Sequence, residues 1–205
     1  MAKIDFRTEY KSLYHASARD FALIEVPPLS YLMVDGEGDP NTAPAYAAAV
    51  EALYALSYTL KFMSRNAFGR DYVVGPLEGL WQAKDMTAFT RRDKAAWSWT
   101  MMILQPDWIA PEHVRAAKGE VLMKKGLPGL EKARLETLEE GLCAQILHVG
   151  PYDDEGPALQ RLHQAWLPAH GLKPRGRHHE IYLSDPRKIA PERCKTLLRQ
   201  PVRPI

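Results

Sequence analysis

Leu142-Cys143-Ala144-Gln145-Ile146-Leu147-His148-Val149 runs straight into Gly150-Pro151-Tyr152-Asp153-Asp154-Glu155-Gly156-Pro157, an acidic turn bracketed by glycine and proline. The first eight residues read as a strand, since aliphatic side chains fill a pleated surface, and the turn residues end it. The same succession occurs earlier in the chain. Ser30 to Val34 is a strand, Asp35-Gly36-Glu37-Gly38-Asp39-Pro40 is a turn of the same kind, and a helix follows each turn.

In the first helix, Asn41 or Thr42 serves as cap and Pro44 fits the first turn, where a missing N–H is harmless. Val50, Leu53, Leu56, Leu60 and Met63 then form a core-facing stripe. The second helix carries Leu159, Leu162 and Trp166, with Gly171 as its C-cap. Two strands follow each helix: Tyr72 to Trp81 and Trp97 to Leu104, around a charged turn with Arg91, Arg92 and Asp93, then His178 to Leu183 and Lys195 to Arg199. A helical connector, Pro111 to Lys125, presents Val114, Ala117, Val121 and Leu122 at helical spacing. The reading is α+β: two pseudo-symmetric strand-helix-strand-strand units with antiparallel sheets flanking a central cleft. Residues 1–205 form one domain, with half 1 at about 20–108, a connector at 109–139 and half 2 at about 140–205.

Composition narrows the function classes. With 205 residues, 46% hydrophobic and 25% charged, the chain can bury a sizeable core. A net charge of +2 is too small and too evenly spread for a nucleic-acid-binding stripe, so no nucleic acid is expected. The N-terminus has no apolar signal region, and the stretch Ala45 to Leu60 is interrupted by Glu51, so neither export nor a membrane span is expected. Cys143 and Cys194, far apart, suit a reducing compartment, and the cytoplasm is the expected location. Oligomeric state, monomer or dimer, is left open.

Strand alternation sorts the candidate chemistry. His178, Glu180 and Tyr182 point one way, and His179, Ile181 and Leu183 point the other, toward the core. Glu180 can attract a cation or position water, and Tyr182 can donate a hydrogen bond; an exposed strand face with Glu180 bonded to a neighbouring strand is the alternative. Trp97 and Trp99 share a strand face, Trp81 ends the preceding strand and Trp108 follows. Such rings either fill a core or line a pocket for a planar or cationic guest, core filling fitting Trp97 and Trp166 best. Tyr54, Tyr58 and Lys61 make a second helical stripe. His178-His179-Glu180 resembles a metal motif on paper, yet alternation leaves at most one His and one carboxylate on a face, so no metal is expected. No nucleotide or phosphate loop and no nucleophile elbow is present, so no cofactor is expected.

At Val74-Gly75-Pro76-Leu77-Glu78-Gly79-Leu80-Trp81, Met102-Ile103-Leu104-Gln105-Pro106-Asp107-Trp108, Gln145 to Tyr152, His178 to Pro186 and Thr196 to Val202, the chain resembles the GyrI-like small-molecule-binding family. That resemblance implies two strand-helix-strand-strand units around a cleft and a ligand role for Glu180. It also implies an aromatic small-molecule ligand and a stand-alone protein without a DNA-binding module. Stand-alone members resemble either sequestering proteins for hydrophobic drugs or hydrolases that open the cyclopropane ring of DNA-alkylating natural products. For the hydrolase the catalytic candidates are Glu180 and Tyr182. The ligand-binding candidates are Tyr54, Tyr58, Glu78, Trp81, Trp99, Trp108 and Tyr152. Gln82, after Trp81, departs from the second aromatic expected in close relatives.

Overall fold

The computed structural model describes residues 3–83 and 93–205, so the charged turn at Arg91 and Arg92 lies outside the described residues. The chain runs α1 (Phe6–Glu9), β1 (Ala22–Val26), β2 (Leu29–Glu37), α2 (Pro44–Phe68), β3 (Leu77–Ala83), β4 (Trp97–Leu104), α3 (Pro111–Lys125), β5 (Arg134–Leu138) and β6 (Gly141–Val149). It continues with α4 (Gly156–Arg161, then a π turn over Leu162–Trp166 and a last turn at Leu167–Ala169), β7 (Leu172–Pro174), β8 (His178–Tyr182) and β9 (Lys195–Pro204). The fold is α+β with antiparallel pairing throughout the strands described. Among the described residues no helix is long and apolar enough to cross a membrane.

Contacts divide the chain into two compact units, one of Met1–Glu9 and Leu29–Leu138 and the other of Tyr10–Pro28 and Glu139–Ile205. Residues 109–138 therefore group with the first unit, and residues 10–28 with the second. In the first unit the strand order is β3-β4-β2-β5, and in the second β8-β9-β6-β1, with β7 also paired to β9. The two orders correspond strand for strand, which is the repeat expected from the sequence. The sequence reading placed no strand at β1, β5 or β7. Ala22–Val26 and Arg134–Leu138 mix charged and aliphatic residues and are largely unburied, and each pairs on one side, with β6 and β2 respectively.

Helix α2 begins after Ala43, whose side chain makes no cap, so the expected cap at Asn41 or Thr42 is not found, and the turn before the helix is tied by Asp39. Its carboxylate accepts the Asn41 N–H at 2.9 Å, and its carbonyl accepts those of Thr42 and Ala43 at 3.1 and 2.7 Å. Pro44 occupies the first turn as expected, and Gly69 (φ 66°) ends the helix in the left-handed region. The buried stripe keeps Leu53, Leu56 and Leu60 but turns toward Ala49, Ala52, Ser57, Lys61 and Ser64, leaving Val50 and Met63 half-buried. Small residues let the helix backbone settle close to the sheet. Lys61, expected on the tyrosine stripe, is instead buried in an ion pair with Asp71. The strand expected from Tyr72 starts at Leu77, because Pro76 has no N–H to give a ladder; Tyr72 makes an isolated bridge to Ile4.

In the second unit one sheet face packs Ala144, Ile146, Leu198 and Val202 against Phe21 and against Leu162 and Leu167 of α4. The opposite face is polar and equally buried. Arg199, 1% exposed, donates to Gln145 Oε1 (2.9 Å), Glu140 Oε2 (3.2 Å) and the Leu13 carbonyl (2.6 Å). The His179 ring nitrogen Nδ1 meets both Glu140 oxygens at 3.0 and 3.1 Å. The amide of Gln145 donates to the carbonyls of Ser12 and His15, which fastens this stretch of chain to the sheet. His179 is thus a core residue, as expected, but one bonded to a buried carboxylate.

Two predictions follow from this packing. The Trp99 ring lies across Gly36, its partner in the β2–β4 register, and a Cβ there would come within 2.1 Å of the ring. Gly36→Ala is expected to lower stability by roughly 1–3 kcal/mol, read from urea unfolding. The second concerns acid. Burial would raise the Glu140 pKa, but His179 and Arg199 hold it down to about 2. A depressed carboxyl stabilises the fold above its unfolded pKa of about 4.3 and loses that contribution as pH falls toward about 2. The unfolding midpoint should fall steeply across that window in the wild type and much less in Glu140→Gln, which starts from a lower stability at neutral pH.

Candidate functional site

Glu180 and Tyr182 leave β8 on the α4 side of the second unit's sheet, opposite Leu198 and Thr196 of β9. The Tyr182 hydroxyl donates to Glu180 Oε2 at 2.8 Å, which fixes the carboxylate's orientation. His178 shares their face, its Nε2 3.7 Å from Glu180 Oε1. Burial first, and then the neighbouring His163 and His179, drive the His178 pKa down to about 3, so the ring is neutral and the contact is not an ion pair.

The turn after β6 closes over this face. Gly150 (φ 142°) bonds its N–H to the Cys194 carbonyl at 3.0 Å, and the His148 ring contacts the Pro151 carbonyl at 2.9 Å. The turn delivers Tyr152, 38% exposed, whose ring meets that of Tyr182 edge-on at 5.5 Å and 73°. Burial first, then Cys194 and the carboxylates of Glu155, Glu180 and Asp185, push its hydroxyl pKa up to about 12, so Tyr152 remains a donor at neutral pH.

Glu155, three residues on, is 5% exposed and lies beside Glu180 and Thr196. Burial and then the Glu180 charge raise its pKa to about 10, so it is a neutral acid at physiological pH. Glu155 Oε1 and both ring nitrogens of His178 are buried without a hydrogen-bond partner, and Thr196 Oγ1 is buried beside Glu155. Sequence reasoning passed over Glu155 and Thr196 as site residues, taking the first as part of an acidic turn. The one available signal was position: Thr196 falls opposite Tyr182 once β8 and β9 are paired. Cys143, on the opposite sheet face from Glu180, has its thiol pushed up to about 12 by burial and the Glu140 charge, which leaves it a poor nucleophile.

The first unit gathers aromatic rings at the equivalent place, the start of its helix. Trp81 and Trp99 pair across β3 and β4, 4% and 2% exposed. Tyr46 of α2 stacks near Trp81 at 6.4 Å and meets Trp99 edge-on at 5.3 Å, and Trp97 meets Trp81 edge-on at 5.6 Å. Trp99 Nε1 donates to the Gly38 carbonyl at 3.3 Å. Tyr54 and Tyr58 of α2 stack on each other at 6.5 Å, Tyr54 half-buried and Tyr58 exposed.

Two expected ligand-binding residues stand apart from this group. Glu78 is wholly buried and points to the sheet face opposite Trp81, since it pairs with Met102 while Trp81 pairs with Trp99. Trp108 donates to Ser64 Oγ at 2.9 Å, meets Tyr72 edge-on and stacks with Arg70. Ser64 and Tyr46 lie at opposite ends of α2, about 27 Å apart at ~1.5 Å per residue, so Trp108 does not join Trp81 and Trp99.

Residues 19–203 match the model of the GyrI-like small molecule binding domain. An uncharacterized conserved protein from Listeria innocua superposes with a TM-score of 0.90 at 41% identity, covering 98% of this chain and 100% of that one. A protein from Listeria innocua described as a hydrolase superposes with a TM-score of 0.86 at 40% identity, over 98% and 100% of the two chains. The C-terminal domain of EcmrR shares the fold alone, with a TM-score of 0.58 at 14% identity over 91% and 98%. No curated protein matches the sequence.

The buried acid yields a prediction about stability. A carboxyl whose folded pKa is raised supports the fold fully below its unfolded value of about 4.3, and that support drains away as pH rises toward about 10. Glu155→Gln keeps the shape without needing a proton. Urea unfolding at neutral pH should show it more stable than wild type by roughly 1–3 kcal/mol, with a flatter pH profile.

Proposed function

We propose, from the premise that this chain belongs to the GyrI-like small molecule binding domain family, that it binds a planar aromatic small molecule and adds water to it. The observation that carries this reading is the Glu180 carboxylate, held at 2.8 Å by Tyr182 beside the half-exposed ring of Tyr152. An oriented carboxylate next to an aromatic wall can accept a proton from water, and the wall can hold a flat guest. Similarity at 40% identity to a Listeria innocua protein described as a hydrolase supports the catalytic half of the reading.

The substrate class we favour is a DNA-alkylating natural product carrying a strained cyclopropane, which makes the protein a detoxifying enzyme. Glu180 takes a proton from water as the water oxygen bonds to a cyclopropane carbon. The strained C–C bond breaks and its electron pair passes into the conjugated ring system. A proton is returned there through solvent, so the net change is the addition of one water. Tyr182 orients the base. Tyr152 supplies an edge and a hydroxyl for the bound rings.

A second reading, sequestration without turnover, is favoured by the same Tyr182 bond, which would also fix Glu180 as counter-ion for a planar cation. One experiment separates the two. The protein in excess is incubated with a cyclopropane-containing alkylator, and the product mass is measured alongside fluorescence titration with a planar cationic dye. Hydrolysis predicts a gain of one water, with the rate falling at least about 100-fold in Glu180→Gln. An unchanged mass with intact dye binding leaves sequestration, and loss of both sinks the site.

A further inference from the structure

We propose that Glu155 is a second functional carboxyl of this site, a positioning residue that sits buried against Glu180 and holds one proton for the pair. It goes beyond the reading above, because it applies whether the site turns over a ligand or only binds one.

The geometry has three parts. Glu155 is 5% exposed, and its Oε1 has no partner, although it begins a helix whose turn could have left it in solvent. Both nitrogens of the His178 ring, on the same sheet face, are likewise buried and unpartnered, and the Thr196 hydroxyl beside Glu155 is buried with them. Buried polar atoms normally find partners, so several left over in one place mark a spot built for a polar guest rather than for packing alone. Finally, Glu180 is already bonded to Tyr182 on one oxygen. Two carboxyls in such a place cannot both be ionised without strong repulsion, and one proton between them removes it.

The groups acting on Glu155 are consistent with this arrangement. From β8 comes Glu180, from the preceding turn Asp153, with Tyr152 beside it, and from β9 Thr196. His163 of α4, the remaining titratable group near His178, has its pKa lowered by burial. The largest influences on Glu155 are burial and the Glu180 carboxylate, both of which favour its neutral form. The pair therefore presents one negative charge and one acidic proton. That suits a ligand offering both a positive or electron-poor ring system and an acceptor atom, and not an anion.

Infrared titration of the full chain tests the assignment without any substrate. A protonated-carboxyl band should persist in the wild type at mildly alkaline pH and bleach with a midpoint of about 10. Glu155→Gln should lack that band, and Glu180→Gln should keep it with its midpoint at least about one pH unit lower, since one repelling charge is gone. Absence of the band in wild type, its survival in Glu155→Gln, or an unmoved midpoint in Glu180→Gln would overturn the proposal. Should Glu155→Gln fail to fold, the wild-type band and the Glu180→Gln shift still decide. An alkylator of unchanged mass beside a positive infrared result removes the hydrolase alone.

Discussion

Burying the Arg199 guanidinium is the constraint around which the second unit is arranged. A guanidinium keeps its charge at any physiological pH, so a fully buried one obliges the fold to supply acceptors on every side. Glu140, Gln145 and the Leu13 carbonyl do so, from three separate stretches of chain. The register of β8 on β9 sets His179 opposite Arg199, and both contact Glu140. Because side chains alternate, that same register puts Glu180 and Tyr182 on the other face and Thr196 directly across from Tyr182. A slip of one residue would turn His179 to the helix side of the sheet and Glu180 and Tyr182 away from it. The polar lock on one side of the sheet thereby fixes the geometry of the other.

Two units with the same strand order hold different chemistry at corresponding positions. At the start of α2, on the helix side of the sheet, stand Tyr46, Trp81 and Trp99. At the start of α4, on the helix side of its own sheet, stand Tyr152, Glu155, Glu180 and Tyr182. The repeat supplies the same scaffold twice, and the side chains diverge where a helix leaves its turn. In the first unit that position is filled by flat apolar surface, and in the second by a carboxylate that accepts a tyrosine hydroxyl.

Much of this was legible from local pattern. The turns at residues 35–40 and 150–157, the helical stripes and the period-two strands gave the α+β repeat, and alternation alone paired Glu180 with Tyr182. The same alternation already set Glu78 and Trp81 on opposite faces, although both were expected to bind ligand. The features that escaped depend on contacts distant in sequence. The carboxyl of Glu155 belongs by composition to an acidic turn, and its burial beside Glu180 and Thr196 depends on strands distant in sequence. Trp108 follows β4 closely in sequence, yet the length of α2 carries its partner Ser64 far from Tyr46. Edge strands β1 and β5 bury too little surface to show a clear period.

The contact of Trp99 with Gly36 has an evolutionary consequence. With the ring lying where a Cβ would stand, the two positions behave as a single inherited character. A side chain at 36 is compatible only with a smaller residue at 99, and shrinking 99 alone leaves a void beneath α2. Drift at either site must therefore pass through a less fit intermediate or occur as a coupled change, and among diverging relatives the pair should vary together.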